Sequence, residues 1–222
     1  MEYHVVILAA GQGKRMGAGK NKMLLNVLDA PVVIHTLRTF EQDTACSGIT
    51  LVINQAEKDV FQDLLKKFHI KKVNQIVNGG KERQDSVFLG LKAVSEEGIV
   101  LIHDGARPFV KKEQIAKVVQ AADLTGAAVL AVPVKDTIKK VINNKVKETI
   151  DRSSLWAVQT PQAFRLSLIL KAHEYGRSIN AEVTDDASLI ELIGRDVAVV
   201  QGDYRNIKIT TPEDLLVAEQ YL

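Results

Sequence analysis

VVILAAGQGKRMGAGKNK, at residues 5–22, joins an apolar run to a loop that contains four glycines and four basic residues. An apolar run that opens onto a glycine-rich turn is typical of a first strand and a phosphate-binding loop in an α/β protein. Two common loop patterns do not fit. A dinucleotide loop, G-x-G-x-x-G, would need glycine at Met16, and a P-loop would need glycine at Lys14 and serine or threonine at Asn21. The stretch therefore predicts a phosphate-binding loop of another kind.

The charge of this loop indicates what it binds, since Lys14, Arg15, Lys20 and Lys22 accompany the glycines. Backbone amides exposed by glycine can cradle phosphate oxygens. Fixed cations can neutralise the charge that builds up when a phosphorus atom is attacked. The combination favours a site for a triphosphate under attack.

Outward from the loop, short β-rich runs alternate with longer amphipathic runs, which predicts an α/β fold with a mostly parallel sheet crossed by helices. The predicted strands cover residues 4–10, 48–54, 73–77, 98–104, 126–134 and 196–202. The predicted helices are Pro31–Phe40, Glu57–Phe68, Glu82–Val94, Lys112–Leu124, Pro161–Tyr175 and Pro212–Tyr221. The last helix has a clear start, because Thr211 can cap it and Pro212 suits its first position.

One segment breaks this alternation. Residues 135–155 read as two polar runs around Asn143-Asn144, which predicts a hairpin with positive φ at the turn. We therefore predict a single domain over residues 1–222 with a β-arm inserted at about 135–155. Such an arm either grips a second subunit or is a solvated hairpin.

Composition and charge exclude several classes of protein. The 222-residue chain is 46% hydrophobic and 25% charged with a formal net charge of +2, which is typical of a globular protein and gives no reason to expect a nucleic-acid partner. No run approaches the roughly 20 apolar residues of a membrane helix. The run Val5–Ala10 is too short for a signal-peptide core. Cys46 is the single cysteine, so no internal disulfide can form, and the chain is expected to be cytoplasmic.

Candidate ligand-binding residues follow the predicted strands, since ligands of open α/β sheets bind beyond the carboxyl ends of the strands. Asp104 follows one strand in LIHDGARPF, with Arg107 fixed on a turn before a proline. A carboxylate there could accept substrate hydroxyls or help to hold Mg²⁺. In NGGKERQDSV, Gly80 would let backbone approach a base closely, and Ser86 supplies a hydroxyl.

A further set of polar residues lies in the arm and in the last third of the chain. Arginine suits bidentate phosphate binding and lysine supplies a mobile point charge, so Arg152 and Lys208 are the strongest candidates to bind a phosphorylated second substrate. The histidines show no ligand spacing, and His103 is expected to point away from Asp104. The sequence contains no G-x-S-x-G elbow, so covalent catalysis is not expected.

Seven motifs together resemble a known family across nearly the whole chain. They are LAAGQGKRM with a following lysine, GGKERQDSV, HDGARPF, VPVKDTIK, DRSSLWAVQTPQAF, TDDAS and NIKITTPEDL. In this order they resemble the 2-C-methyl-D-erythritol 4-phosphate cytidylyltransferases of the non-mevalonate isoprenoid pathway. The first motif by itself would indicate the wider nucleotidyltransferase superfamily, whose fold is a Rossmann-like three-layer sandwich.

The resemblance implies a reaction that depends on CTP and Mg²⁺. A phosphate oxygen of methylerythritol phosphate attacks the α-phosphorus of CTP, which releases pyrophosphate and forms 4-diphosphocytidyl-2-C-methyl-D-erythritol. The family is usually homodimeric, so the resemblance also implies that the arm reaches across to a partner subunit, and that Thr137 and Arg152 serve the partner's site.

The resemblance also assigns roles to individual residues. Arg15 and Lys22 would stabilise the transition state, while Arg152 and Lys208 would position the sugar phosphate. The methylerythritol phosphate site would contain Asp104, Arg107, Thr137, Thr184 and Asp185. The CTP site would contain Ala9, Ala10, Gly11, Gly13, Gly80 and Ser86. Mg²⁺ would be held mainly by the CTP phosphates, with Asp104 as a candidate ligand.

Two segments depart from the family pattern. Many members have Pro-Lys-Gln where this chain has Asn21-Lys22-Met23, which retains the lysine and is expected to loosen the loop before it. Lys81 stands where an acidic or small residue is common, so base recognition there is assigned to backbone.

Three alternatives remain at this point. A ribitol-5-phosphate cytidylyltransferase shares the loop and the H-D-x-x-R-P-F element, although DRSSLW and TDDAS favour methylerythritol phosphate. A non-catalytic nucleotide sensor would bind CTP without turnover. A dehydrogenase is disfavoured, because the loop spacing is wrong and no acidic residue follows about 20 positions on to bind a ribose hydroxyl.

Overall fold

The computed structural model describes residues 1–11 and 21–221. The helices are α1 (Val32–Glu41), α2 (Lys58–Lys67), α3 (Arg83–Lys92), α4 (Lys112–Thr125), α5 (Leu166–Ser178), α6 (Ala187–Leu192) and α7 (Pro212–Tyr221). The strands are β1 (Tyr3–Leu8), β2 (Asn26–Val27), β3 (Ala30–Pro31), β4 (Cys46–Ile53), β5 (Val73–Asn78), β6 (Ile99–Asp104), β7 (Ala127–Pro133), β8 (Ile138–Ile142), β9 (Lys145–Ile150), β10 (Trp156–Arg165) and β11 (Ala198–Gln201). Among the helices of these residues, none is long and apolar enough to cross a membrane.

A seven-stranded sheet forms the centre of the fold, with the strand order β11-β7-β10-β6-β1-β4-β5. The pairs of β1 with β4 and with β6, β4 with β5, and β7 with β11 are parallel. Strand β10 runs antiparallel to both of its neighbours, β6 and β7. After β1 the chain builds outward through β4 and β5 and then returns to β6 on the other side of β1. This reversal creates the crevice at which such sheets bind ligands.

Helices cover both faces of the sheet, as the predicted three-layer sandwich requires. Successive residues of β1 enter different cores, with Val5 and Ile7 on one face and Val6 and Leu8 on the other. The first core contains residues of α1, α2, α4 and α7, and the second contains residues of α3, α5 and α6. A strand that is buried on both faces needs apolar residues at every position, which explains the continuous apolar runs.

The hairpin predicted between residues 135 and 155 is present. Strands β8 and β9 form their own two-stranded sheet, and both turn residues have positive φ, 50° at Asn143 and 59° at Asn144. Most of its side chains are exposed, because its polar sequence contributes little to either core.

The helix predicted over Pro161–Tyr175 is wrong in its first part. Residues 156–165 form β10, and helix α5 begins at Leu166. Pro161 suggested a helix start, but it lies where the pairing of β10 with β7 is irregular, between Val158 and Gln162. A proline at such a point removes no ladder hydrogen bond.

Helix α6 and the short strands β2 and β3 were not predicted. Helix α6 has six residues, which is too short for a helical repeat to stand out in the sequence. It brings the Thr184-Asp185-Asp186 turn beside the end of β6, and that placement shapes the site described below.

Candidate active site

The ends of β1, β4, β5 and β6 surround a cavity of about 660 Å³, which we call the first cavity. Of the predicted site residues within residues 1–11 and 21–221, those lining it are Ala10, Gly11, Lys22, Gly80, Ser86, Asp104 and Lys208. Lys81, Glu82 and Arg83 also line it. The structure therefore gathers residues far apart in the sequence at one edge of the sheet.

Glycines shape part of this cavity because the backbones approach closely there. A Cβ atom built on Gly79 would lie 2.6 Å from the Cβ of Ala10 and 3.0 Å from Ser86 Oγ. The Gly80 amide donates a hydrogen bond to Ser86 Oγ at 3.0 Å, and the Ser86 hydroxyl donates to the Glu82 carbonyl at 3.1 Å. Ser86 therefore shapes the turn as well as lining the cavity.

A second cavity of about 420 Å³ adjoins the first. The predicted residues that line it are Asp104, Arg107, Thr184, Asp185 and Lys208. Arg83, Asp104 and Lys208 line both cavities. Two ligands bound in these cavities would thus meet at a common wall of three charged side chains.

Asp104 is the electrostatic centre of this wall. Its side chain is buried, with Lys208 Nζ 2.8 Å and Arg107 Nε 3.6 Å from Oδ2, and with Arg83 Nε 3.7 Å from Oδ1. Burial by itself would raise the pKa of Asp104, but Lys208, Arg83 and Arg107 outweigh burial and hold that pKa well below its ordinary value. The carboxylate is therefore ionised and fixed by cations.

Asn206 links the middle of β10 to Arg107. Its buried side chain donates to the Thr160 carbonyl at 2.9 Å, and its own carbonyl accepts a bond from Arg107 Nη1 at 2.7 Å. The Asp104 amide donates to Thr160 Oγ1 at 3.0 Å. These bonds connect the NIK segment, which carries Lys208, to the HDGARPF segment.

In the Thr184-Asp185-Asp186 turn, the Asp185 carboxylate makes hydrogen bonds through both of its oxygens. Asp185 Oδ1 accepts hydrogen bonds from the Ser188 amide at 3.1 Å and the Ser188 hydroxyl at 2.5 Å, and Oδ2 accepts from Gln162 Nε2 at 2.8 Å. Asp185 thus holds the start of α6 while lining the second cavity, and Thr184 is exposed at its rim.

Arg83 is a site residue that the sequence reasoning missed, and Asp186 was counted among the polar residues of the last third of the chain but was given no role. Arg83 Nη1 lies 2.8 Å from Asp186 Oδ2, and Asp186 Oδ1 lies 3.5 Å from Nε2 of the buried His173. Burial would raise the pKa of Asp186, but Arg83 and His173 hold it below its ordinary value. Both residues stand inside motifs that drew attention to their neighbours. Two features of the sequence could have indicated them. Arg83 is a charged residue at the start of the helix that follows Gly79-Gly80, and Asp186 is a second acid just before a short amphipathic run.

Lys22 lies at the wall of the first cavity, on a short 3₁₀ helix of residues 22–24. Its ammonium donates to the Ile209 carbonyl at 2.8 Å. The buried Asn21 side chain holds the start of this helix, because Nδ2 donates to the Ala9 carbonyl and to Glu57 Oε2, and Oδ1 accepts from the Met23 amide. Asn21 therefore anchors the segment that departs from the family pattern.

Some predicted residues do not line either cavity within the described part of the chain. Ala9 is buried, and its amide donates to the Val52 carbonyl at 2.7 Å. Thr137 and Arg152 are exposed at the base of the arm. Gly13 and Arg15 lie outside the described residues.

Asp104 does not fit the role of a metal ligand. Lys208, Arg107 and Arg83 surround its carboxylate, and their positive charges repel a divalent cation from that position. Across residues 1–11 and 21–221, no group of three or more histidine, cysteine, aspartate or glutamate side chains could hold a metal ion. A magnesium ion at this site would need ligands from the nucleotide.

Comparison with known proteins identifies the family of the chain. The model of the 2-C-methyl-D-erythritol 4-phosphate cytidylyltransferase family matches residues 3–222. The enzyme of that name from Bacillus licheniformis is 57% identical over 222 residues, which is 100% of this chain and 96% of that protein. The one from Bacillus velezensis is 58% identical over 220 residues, covering 99% of this chain and 95% of that protein.

Solved structures agree with the fold. The 4-diphosphocytidyl-2C-methyl-D-erythritol synthase of Anaerococcus prevotii has a TM-score of 0.86 at 35% identity, with 99% of this chain and 95% of that chain covered. The 2-C-methyl-D-erythritol 4-phosphate cytidylyltransferase of Thermus thermophilus has a TM-score of 0.81 at 32% identity, with 97% and 96% covered. With a charged wall between two cavities and this likeness along its whole length, the chain belongs to the 2-C-methyl-D-erythritol 4-phosphate cytidylyltransferase family.

Proposed function

We propose that this protein transfers a cytidylyl group from CTP to 2-C-methyl-D-erythritol 4-phosphate, in the synthesis of isoprenoid precursors. The products are 4-diphosphocytidyl-2-C-methyl-D-erythritol and pyrophosphate. One observation carries the proposal within this family: two adjoining cavities share Arg83, Asp104 and Lys208. A condensation of two substrates needs two such sites with a common boundary.

CTP is assigned to the first cavity. Its glycine-built part, at Gly11 and Gly80, lets backbone approach a base and phosphates closely. Ala10 and Ser86 line the same cavity, and Gly13 belongs to the same assignment. Ala9, which is buried and does not line the cavity, is not included in it. Ser86 accepts a hydrogen bond from the Gly80 amide, so it both holds the Gly80 turn in shape and is available to contact the nucleotide.

Methylerythritol phosphate is assigned to the second cavity. Asp104 is ionised and can accept hydrogen bonds from sugar hydroxyls, while Arg107 and Lys208 supply positive charge for the phosphate. Thr184 and Asp185 line the opposite side of this cavity.

The reaction needs no protein nucleophile, because the attacking atom is a phosphate oxygen of the sugar phosphate. The bond from that oxygen to the α-phosphorus forms while the bond to the pyrophosphate oxygen breaks. The protein contributes alignment and charge stabilisation. Arg15 and Lys22 are assigned to the α-phosphate, with Lys22 at the wall of the first cavity.

Mg²⁺ belongs to this proposal as an ion that arrives with the triphosphate. When bound, it would neutralise phosphate charge. Its ligands would come from CTP oxygens, since the cations around Asp104 exclude that carboxylate.

The proposal includes a cytoplasmic homodimer built through the arm. Thr137 and Arg152 lie at the arm's base, away from both cavities of their own chain, which supports their service to a partner's site. Val141 and Val146 are opposite each other in the arm, and their side chains are exposed. An apolar pair exposed on a hairpin favours contact with a second subunit.

Pyrophosphate release tests the proposed substrates. The purified chain is incubated with CTP and Mg²⁺, with methylerythritol phosphate, with ribitol 5-phosphate, or with no acceptor. We expect release with methylerythritol phosphate. Release with ribitol 5-phosphate and not with methylerythritol phosphate would establish the ribitol alternative, and binding of CTP without any release would establish the sensor.

Substitution of the two proposed transition-state cations tests the mechanism. Arg15→Gln and Lys22→Gln should each lower kcat by about 10²–10³, because each removes a charge that counters the charge building up at phosphorus. The measurement is steady-state pyrophosphate release, with Lys147→Gln on the exposed arm as a control for loss of a lysine. Unchanged kcat in both variants would contradict these roles.

A further inference from the structure

We propose that Arg83 and Asp186 form a positioning pair that fixes Asp104 for the second substrate. This inference rests on the proposed function. Arg83 is the first residue of α3, and its side chain reaches the wall shared by the two cavities. Asp186 approaches the same wall from the start of α6.

The placement of Asp186 is not explained by helix capping. It occupies the N-cap position of α6, but its side chain makes no capping hydrogen bond. Asp185 makes that bond instead, to the Ser188 amide. Asp186 is 1% exposed, and its carboxylate faces Arg83 and His173. A buried carboxylate turned away from its own helix toward a cationic side chain indicates a role in holding that side chain.

The guanidinium of Arg83 links two buried carboxylates. Nη1 lies 2.8 Å from Asp186 Oδ2, and Nε lies 3.7 Å from Asp104 Oδ1. Because the guanidinium is planar, a contact on each side determines the direction of the whole group. A lysine, with one charged nitrogen, could not meet both carboxylates in this way.

Arg83 in turn restrains the orientation of Asp104. Lys208 and Arg107 both face Oδ2 of Asp104, whereas Arg83 faces Oδ1. Loss of Arg83, or of the carboxylate that orients it, removes the contact at Oδ1 and leaves Asp104 held through Oδ2 alone. Because Asp104 is assigned to the sugar hydroxyls, the loss should weaken binding of the sugar phosphate more than binding of CTP.

The test compares Arg83→Gln, Asp186→Asn and the double variant with the unsubstituted chain. Arg177→Gln is a matched control, since Arg177 Nη1 also pairs with a carboxylate of α3, Asp85 Oδ1 at 2.9 Å, and lines neither cavity. The measurements are KM for each substrate and kcat. The double variant leaves neither charge of the pair behind, so it covers the case in which Asp186→Asn or Arg83→Gln fails to fold.

We expect KM for methylerythritol phosphate to rise about tenfold in each single variant, with KM for CTP changed less than about twofold. The double variant should be no worse than the more affected single variant, because both residues act through one contact. Arg177→Gln should leave both KM values unchanged. Arg83→Lys should raise KM for methylerythritol phosphate as much as Arg83→Gln does. If only the positive charge of Arg83 mattered, Arg83→Lys would leave that KM unchanged.

Two results would overturn the inference. One is a folded set of variants with lower kcat and unchanged KM for methylerythritol phosphate, which is the outcome of a merely structural role. The other is a rise in KM for CTP that equals the rise for the sugar phosphate. If the unsubstituted chain itself releases no pyrophosphate with methylerythritol phosphate, the proposed function fails and this inference fails with it. If the unsubstituted chain is active and the variants have unchanged KM values, the positioning role of Arg83 and Asp186 is rejected, whereas the proposed function is not.

Discussion

At the scale of single residues, Asn21 connects three separate segments of the chain next to the site. It is buried beside the catalytic candidate Lys22, and its side chain makes hydrogen bonds to Ala9, Met23 and Glu57. The sequence suggested that asparagine in place of proline loosens the loop. The loop before it, residues 12–20, lies outside the described residues, so that expectation stays a prediction. At Asn21 itself, the side chain joins the end of β1 to the segment that carries Lys22.

Asn21→Ala should therefore lower the free energy of unfolding by about 2 kcal/mol, since it leaves buried groups without their partners. Asn54→Ala is the matched control. Asn54 caps a similar 3₁₀ helix through its Oδ1, but it makes one such bond in a less buried place. That control should cost about 0.5–1 kcal/mol. Urea denaturation measures both, and equal losses would contradict the anchoring role of Asn21.

At the scale of elements, the β8–β9 arm contributes no residue to either core of the central sheet. It forms a sheet separate from the central one, and its apolar pair Val141 and Val146 is 53% and 61% exposed. An element that buries so little in its own chain contributes little to the stability of that chain. Its proposed contribution is to a second subunit.

Replacing residues 138–150 by a short glycine-serine turn should convert the proposed dimer to a monomer and leave the central sheet folded. Sedimentation equilibrium measures the mass. Val146→Ser should weaken the dimer, whereas Lys147→Ser, on the opposite face of the same strand, should not. A dimer of unchanged mass after removal of the arm would contradict the proposed interface.

For the whole molecule, the pH dependence of stability depends on buried side chains such as His103. Its Nε2 lies 3.0 Å from the Arg107 carbonyl and its Nδ1 lies 3.1 Å from Thr160 Oγ1. Since Thr160 Oγ1 already accepts a bond from the Asp104 amide, its own proton can go to Nδ1, which leaves the proton of a neutral imidazole on Nε2. Burial lowers the pKa of His103 from 6.5 to about 4.

The sign of the effect follows from proton binding. Between pH 6.5 and 4 the unfolded chain protonates His103 and the folded chain does not, so stability is greatest above pH 6.5 and decreases as the pH falls. The decrease should approach about 3 kcal/mol at pH 4. Urea denaturation from pH 7 to pH 5 should show a flatter dependence for His103→Gln than for the parent. The same slope in both proteins would argue against a neutral buried His103.

For the whole molecule, the sequence predicted the α/β fold with a mostly parallel sheet because continuous apolar runs and intervening helices repeat along the chain. The helix predicted from Pro161 was wrong because the antiparallel neighbours of β10 decide its conformation, and pairing partners cannot be read from a local pattern. In the site, Asp104, Arg107 and Lys208 were predicted from strand ends and motifs, and the structure brings them together. The pairing of Arg83 with Asp186 was missed because it joins α3 to the start of α6, which are about a hundred residues apart in the chain.

The central claim is that a phosphate oxygen of methylerythritol phosphate attacks the α-phosphorus of CTP. Methylerythritol phosphate labelled with oxygen-18 in its phosphate group, incubated with CTP, Mg²⁺ and the protein, tests this step directly by phosphorus NMR. The account predicts that the label enters the bridge of the new diphosphate and that the released pyrophosphate carries none. Label in the pyrophosphate, or no new diphosphate between cytidine and the sugar, would contradict it.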